Sequence, residues 1–345
     1  MRCYAGSMPR KTRIDAPGAL HHIICRGIER KPIFRDDEDR DRFLARLGAI
    51  LLDTSTSCFA WALMRNHFHL LLRTGSTPIA TVMRRLLTGY AVTFNRRHGR
   101  HGQLFQNRYK SILCEEETYL LELVRYIHLN PVRARLAADV DALEQYPYSG
   151  HAVLTGKRNN DWQDAEYILA RFGKKISRAR QKYREFVQDG VVMGKRPELT
   201  GGGLIRGLGG WQAAKKSSNK MDRLKGDERI LGGSNFVDEV LRHAEEELSR
   251  RDQLQVAGYG LDELVREVAG LFAIEPGQIY STGKYPRIVQ ARSLFCYWAV
   301  RQLGLTATSL AKKLHLTQPA VSIAVKRGEK IAQEGQYALG KTGKL

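Results

Sequence analysis

The run Met64-Arg65-Asn66-His67-Phe68-His69-Leu70-Leu71-Leu72 restricts the chain more than any other segment. Its β-type composition predicts a strand, and along a strand alternate side chains point to opposite faces. His67 and His69 therefore project together, while Phe68 turns into the packed layer behind them. Two imidazoles side by side can hold one metal ion, although a lone His-x-His on a strand is more often packing or surface.

A second segment gives the pair its meaning. Tyr119 to Arg135 reads YLLELVRYIHLNPVRAR, with apolar residues at Leu120, Leu123, Val124 and Ile127 in a helical period and Pro131 marking the expected end. Tyr126 and Asn130 stand four apart, which predicts one helical face. A phenol and an amide oxygen beside a two-histidine metal make a phosphoryl-transfer site.

Composition points to the substrate. The chain has 345 residues, enough for two or three domains, and a formal net charge of +20 from 56 Lys and Arg against 36 Asp and Glu. So large an excess calls for a polyanion, most simply nucleic acid. No window approaches the roughly 18 apolar residues of a membrane span, and the first residues, MRCYAGSMPRKTR, lack a signal-type apolar core, so a cytoplasmic protein without membrane contact is expected. Five scattered cysteines without a Cys-x-x-Cys spacing argue against a disulfide framework or a thiolate zinc site.

The fold class expected is α+β. Residues 1–155 read as an antiparallel sheet packed with helices: an extended run near Leu20 to Cys25, a helix from Asp37 to Leu52, a strand from Cys58 to Met64 that continues or hairpins into the histidine strand, and an Arg-rich helix from Ile79 to Arg97. Residues 156–230 read as a basic connector, helical early and flexible later, because 171–225 holds 15 Lys or Arg against 4 Asp or Glu and glycine is dense at 201–210. Residues 231–335 recover helical periodicity at Phe236 to Arg250, Leu261 to Phe272, Pro286 to Leu303, Ser309 to Leu314 and Gln318 to Gln333, and 336–345 form a tail. The last two helices, joined by a polar turn at Thr317, outline a helix-turn-helix in an all-α domain. Gln318, Ser322, Lys326 and Arg327 stand where base-edge and phosphate contacts would arise.

Further nucleic-acid contacts are expected where cations and aromatics interleave: Arg97, Arg100, Phe105, Arg108, Tyr109 and Lys110, with Arg84, Arg85 and Arg133 as additional phosphate ligands. Tyr90 and Tyr119 read as core or stacking residues, His21 and His22 as structural in the first instance with one of them able to approach the site, and His128 as pointing away from Tyr126.

The segments MRNHFHLLL, GQLFQNRYKS and YLLELVRYIHLNPVRARL followed by YPYSG resemble the single-tyrosine HUH transposases, in particular the REP-associated tyrosine branch. The resemblance covers about residues 13–155 and implies a HUH, ferredoxin-like domain. Carried over by position, it implies Tyr126 as nucleophile, His67 and His69 as metal ligands and Asn130 as the third, polar ligand, with Mg²⁺ or Mn²⁺ as cofactor. It also implies single-stranded and hairpin DNA as substrate and a 5′-phosphotyrosine intermediate; the protein would act as a monomer or a homodimer. Arg65 stands where a proline is common in the family.

Residues 235–332 look like the duplex-binding domain of the bacterial replication initiator DnaA, but Thr317-Gln318-Pro319-Ala320 replaces its recognition-helix signature, so duplex binding carries over without its sequence preference. Two other readings compete: a regulator that binds hairpins without cleaving them, and a plasmid-type initiator that nicks an origin. A complete Tyr126, His67, His69 and Asn130 set weighs against the first, and the lack of a GxxxxGK[ST] loop against the second.

Overall fold

The computed structural model describes residues 14–75, 77–194, 196–200, 227, 229–233, 235–242, 259–281, 283 and 285–339. Two compact units divide the chain, residues 1–240 and 241–345.

The first unit is built on strands β1 (Leu20–Arg26), β2 (Ser57–Met64), β3 (His67–Arg73) and β4 (Lys110–Cys114), with a two-residue β5 (Ile230–Leu231). Their order is β2-β3-β1-β4-β5, antiparallel throughout except for the final pair. Helices α1 (Asp37–Asp53) and α2 (Ile79–Arg97) cover one face. In α1 the Asp36 carboxylate caps the Asp39 N–H, and Phe43, Leu47, Ile50 and Leu51 form the buried stripe. They meet Val82, Met83, Leu86, Tyr90 and Phe94 of α2, and the inward residues Trp61, Leu63, Phe68, Leu70 and Leu72 of β2 and β3.

The opposite face is covered by α3 (Glu116–His128), whose Leu120, Leu123, Val124 and Ile127 lie over Ala60, Ala62, Met64, Leu71 and Ile112. Short helices α4 (Asn130–Arg133), α5 (Val140–Gln145), α6 (His151–Leu154) and α7 (Ala165–Leu169) lead to α8 (Ile176–Asp189).

Here the expected boundary at residue 155 needs correction. Ala179, Tyr183 and Val187 of α8 are fully buried in the same core as α3, and a 3-10 turn at Pro197–Thr200 adds Leu199. The basic composition of 156–200 concealed a stripe at i, i+4 and i+8 on an otherwise solvated helix. The Tyr183 hydroxyl, 2.7 Å from His128 Nδ1 and 2.8 Å from His151 Nδ1, ties α8 to α3 and α6. The glycine-rich stretch at 201–210 and most of the expected flexible segment lie outside the described residues.

The second unit contains α9 (Leu261–Leu271), a 3-10 turn (Pro276–Tyr280), α10 (Pro286–Arg301), α11 (Ala307–Lys313) and α12 (Gln318–Glu334). Residues 235–242 are helical, and the remainder of the helix expected to Arg250 lies outside the described residues. Leu264, Val268, Leu294, Phe295, Trp298, Leu310, Val321 and Val325 form the core. Gly328 lets α12 cross α10 closely: a Cβ there would stand 1.9 Å from the Ser293 carbonyl oxygen. Between α11 and α12 the chain turns through His315 at φ 51°, and the Thr317 hydroxyl caps the Ala320 N–H. No described helix is long and apolar enough to cross a membrane.

Candidate active site

Antiparallel pairing places His67 opposite Arg26 and His69 opposite Ile24 of β1, with both imidazoles on the sheet face that α3 covers. Phe68 goes the other way, its ring centroid 4.8 Å from that of Phe43. The His67 and His69 centroids are 5.5 Å apart, and Tyr126 of α3 brings its ring to 5.9 Å from His69. Strand alternation and helix packing thus assemble the three residues.

A fourth ring joins them. His22 on β1 stacks on His69 at 5.2 Å, with Nε2 2.9 Å from His69 Nδ1, and lies 6.0 Å from Tyr126. The sequence favours a structural role for His21 and His22 while leaving one of them able to approach the site, and for His21, whose ring faces Ser111 and Asp15 on the other side of the sheet, the structural role agrees with the geometry. Which of the two approaches is decided by the β1–β3 register, which makes His22 a diagonal neighbour of His69. Two adjacent histidines opening a strand guarantee one on each face, and that was the available signal.

Burial sets the charge state of these groups. It lowers the pKa of His22 to about 4, aided by the Lys110 ammonium. Burial also brings His67 to about 4, with Arg26 adding to the effect, and holds His69 well below its ordinary value, with His22, His67 and Arg26 contributing. All three rings are neutral at pH 7, the form that carries a lone pair. Asn66 Nδ2 donates to the Arg30 carbonyl at 2.9 Å, which turns its Oδ1 toward His67 Nδ1 at 2.8 Å. His67 Nδ1 therefore bears the hydrogen, and Nε2 carries the lone pair. Burial raises the Tyr126 phenol above its usual 10; the Arg133 guanidinium, 5.2 Å over the ring, pulls the other way, and Glu198 adds to the rise.

The expectation of Tyr126 and Asn130 on one face of a single helix needs correction. Helix α3 stops at His128, and Asn130 opens α4, where Pro131 in the first turn costs no hydrogen bond. Asn130 Nδ2 turns back onto the Tyr126 carbonyl at 2.9 Å and the Ile127 carbonyl at 3.3 Å, capping α3 and leaving Oδ1 as its available acceptor. Arg133 Nη1 donates to the same Tyr126 carbonyl at 3.2 Å. His128 is buried against Tyr183, away from the site as its spacing implied.

The residues expected to touch nucleic acid separate into two groups. Arg84 and Arg108 are exposed, Arg100 lies 5.8 Å over Phe94, Arg85 pairs with Asp53, and Lys110 donates to the Thr200 carbonyl. Three of these residues are engaged within the protein. Tyr109 is 8 % exposed within the α1–α2 core, Phe105 packs against that core, and Arg97 is bound by Asp36, Glu38 and Asp39. The Tyr109 face is closed to a base, Phe105 is half-buried, and the Arg97 charge is already compensated. Asp36, Asp39 and His98 bring possible metal-ligand atoms within 4.8 Å, but Arg97 Nη1 lies 2.8 Å from Asp36 and 2.7 Å from Asp39, supplying the positive charge there. In the second unit, Gln318 Nε2 donates to the Ser322 hydroxyl at 3.0 Å, and Lys326 and Arg327 are exposed on the same helix.

Residues 17–130 match the family described as "Transposase IS200 like". The match spans about a third of the chain. The matched span holds His22, His67, His69, Tyr126 and Asn130 but stops short of Arg133 and Leu199. Among solved structures, a REP-associated tyrosine transposase bound to a REP hairpin is similar to this chain at 16% identity, over 49% of this chain and 90% of that one, with a TM-score of 0.36. No curated protein matches the sequence.

Proposed function

We propose that this protein is a transposase that nicks and rejoins single-stranded DNA at palindromic or hairpin elements through a 5′-phosphotyrosine on Tyr126, with a divalent cation held by His67, His69 and Asn130. The observation that carries the reading is that the His67 and Tyr126 rings both lie within 6 Å of His69, two of the three being neutral imidazoles, inside the span that matches the transposase family.

The residues fit such an ion. His67 Nε2 and His69 Nε2 have no hydrogen-bond partner among the described residues, since each ring uses Nδ1, and Asn130 offers an amide oxygen. Two nitrogens and one oxygen suit Mn²⁺ better than Mg²⁺, so Mg²⁺ is the physiological choice only by abundance. When bound, the ion would polarise the scissile phosphate and offset its charge.

The chain's own residues do the rest. Tyr126 Oη attacks phosphorus, the bond to the 3′ oxygen breaks, and a free 3′ hydroxyl departs with a proton equivalent to the one the phenol loses. The bond energy is kept in the phosphotyrosine, so the reverse attack reseals a strand without ATP. A buried phenol resists ionisation, and Arg133 over its ring opposes that resistance. Exposed Arg84 and Arg108 are available for phosphates, and Gln318, Ser322, Lys326 and Arg327 of α12 would add contacts to duplex DNA.

Incubating purified protein with Mn²⁺ and a hairpin-bearing single strand should give a covalent protein–DNA adduct on a denaturing gel, and Tyr126→Phe should give none. No adduct from the wild type, or equal adduct from Tyr126→Phe, sinks the reading.

A further inference from the structure

His22 Nδ1 lies 3.2 Å from the carbonyl oxygen of Leu199, 177 residues away in sequence. A carbonyl only accepts, so that ring nitrogen carries the hydrogen. The ring is fully buried and neutral, so its Nε2 holds a lone pair and can only accept in turn. At 2.9 Å from Nε2, His69 Nδ1 must be the donor. A neutral His69 protonated at Nδ1 is left with its lone pair on Nε2.

We propose that His22 is a positioning residue: clamped by the Leu199 carbonyl, it holds His69 in the Nδ1–H tautomer and presents His69 Nε2 to the site's cation. The cation itself rests on the nuclease reading above; the tautomer does not. The relay has a parallel at the neighbouring ligand, where the Arg30 carbonyl, Asn66 and His67 Nδ1 form a second chain that ends on a backbone oxygen. Metal-binding histidines are commonly oriented through their other ring nitrogen, and losing that partner costs about 10- to 100-fold in metal affinity.

The acceptor comes from outside the matched transposase span. Leu199 sits in the 3-10 turn Pro197–Thr200, is 1 % exposed in the core shared by α3 and α8, and its neighbour Thr200 accepts from Lys110 of β4. A segment whose composition reads as connector thus completes the site. Without that turn His22 would lose its fixed acceptor, and His69 could populate either tautomer.

Long-range ¹H–¹⁵N correlation on histidine-labelled, metal-free protein at pH 7 reads the tautomers directly. His69 and His67 should both be Nδ1–H. His22→Leu should move His69 to a mixture and weaken Mn²⁺ binding, followed by calorimetry, about 10- to 100-fold. His67, anchored through Asn66, should keep its tautomer and so report that the fold is intact. His22→Gln, whose side-chain oxygen can accept from His69, should restore most of the affinity. A wild-type His69 protonated at Nε2, or a folded His22→Leu protein with unchanged His69 tautomer and Mn²⁺ affinity, overturns the proposal. The expected tautomers in a protein that forms no tyrosyl adduct would uphold it while removing the nuclease reading.

Discussion

The two faces of the sheet are buried to nearly the same depth and do opposite things. On the α1–α2 side, Phe68, Leu70 and Leu72 of β3 are fully enclosed by hydrocarbon, and the buried Tyr90 hydroxyl is satisfied by the Ile33 carbonyl. On the α3 side, His22 is 0 % and His69 4 % exposed, yet each ring is paired at a single hydrogen bond or at two, and the lone pairs of His67 and His69 Nε2 stay unused. Burying polar groups is costly unless they are paired, and on this face the imidazoles are paired through their Nδ1 atoms, with Nε2 left as the acceptor. One face is packed to hold the sheet; the other has a polar interior of hydrogen-bonded rings.

That contrast can be broken from either side. The largest stability effect should come from Phe68→Ala on the apolar face: deleting a fully buried ring packed on Phe43 should cost about 3–5 kcal/mol in urea unfolding. A loss below about 1 kcal/mol would show that this face is not the structural one.

The polar face should respond to acid. Folded His22 and His67 take up a proton only near pH 4, whereas an unfolded chain's histidine does so near 6.5. Between those values the unfolded state holds more protons, so stability is constant above about 6.5 and falls as pH drops toward 4, by an amount on the order of a few kcal/mol for the cluster. His69→Leu should flatten that fall and abolish Mn²⁺ binding while leaving stability at pH 7 little changed. Urea midpoints at pH 7, 5.5 and 4.5 measure it, and identical slopes in both proteins would contradict the assignment.

The smallest expected effect is at Asn66→Ala. Freed from the Asn66 amide, His67 should lose about 10- to 100-fold in Mn²⁺ affinity, about 1.4–2.8 kcal/mol, with little change in unfolding. A stability loss without an affinity loss would make Asn66 part of the scaffold instead of the site.

Much of this architecture was legible along the chain. Alternation placed His67 and His69 opposite Phe68, the helical period of α3 placed Leu120, Leu123, Val124 and Ile127 inward, and the limits of α1, α2 and α12 fall within two residues of the reading. The errors share a cause. Tyr109 reads as a stacking platform because it lies among cations, and only packing shows that it serves the core. Residues 156–200 looked like a connector because charge dominates the average composition, while three apolar positions on α8 decide its fate.

Local sequence determined which side chains share a face, because strand and helix periods are properties of adjacent residues. With them it determined the His67, His69 and Tyr126 set and the α+β class. Tertiary structure alone decided that His22 lies against His69, that Asn130 caps α3 from the next helix, and that the Leu199 carbonyl reaches a ring 177 residues earlier. Strand register and long-range hydrogen bonds depend on which surfaces meet, and no period in the sequence encodes that.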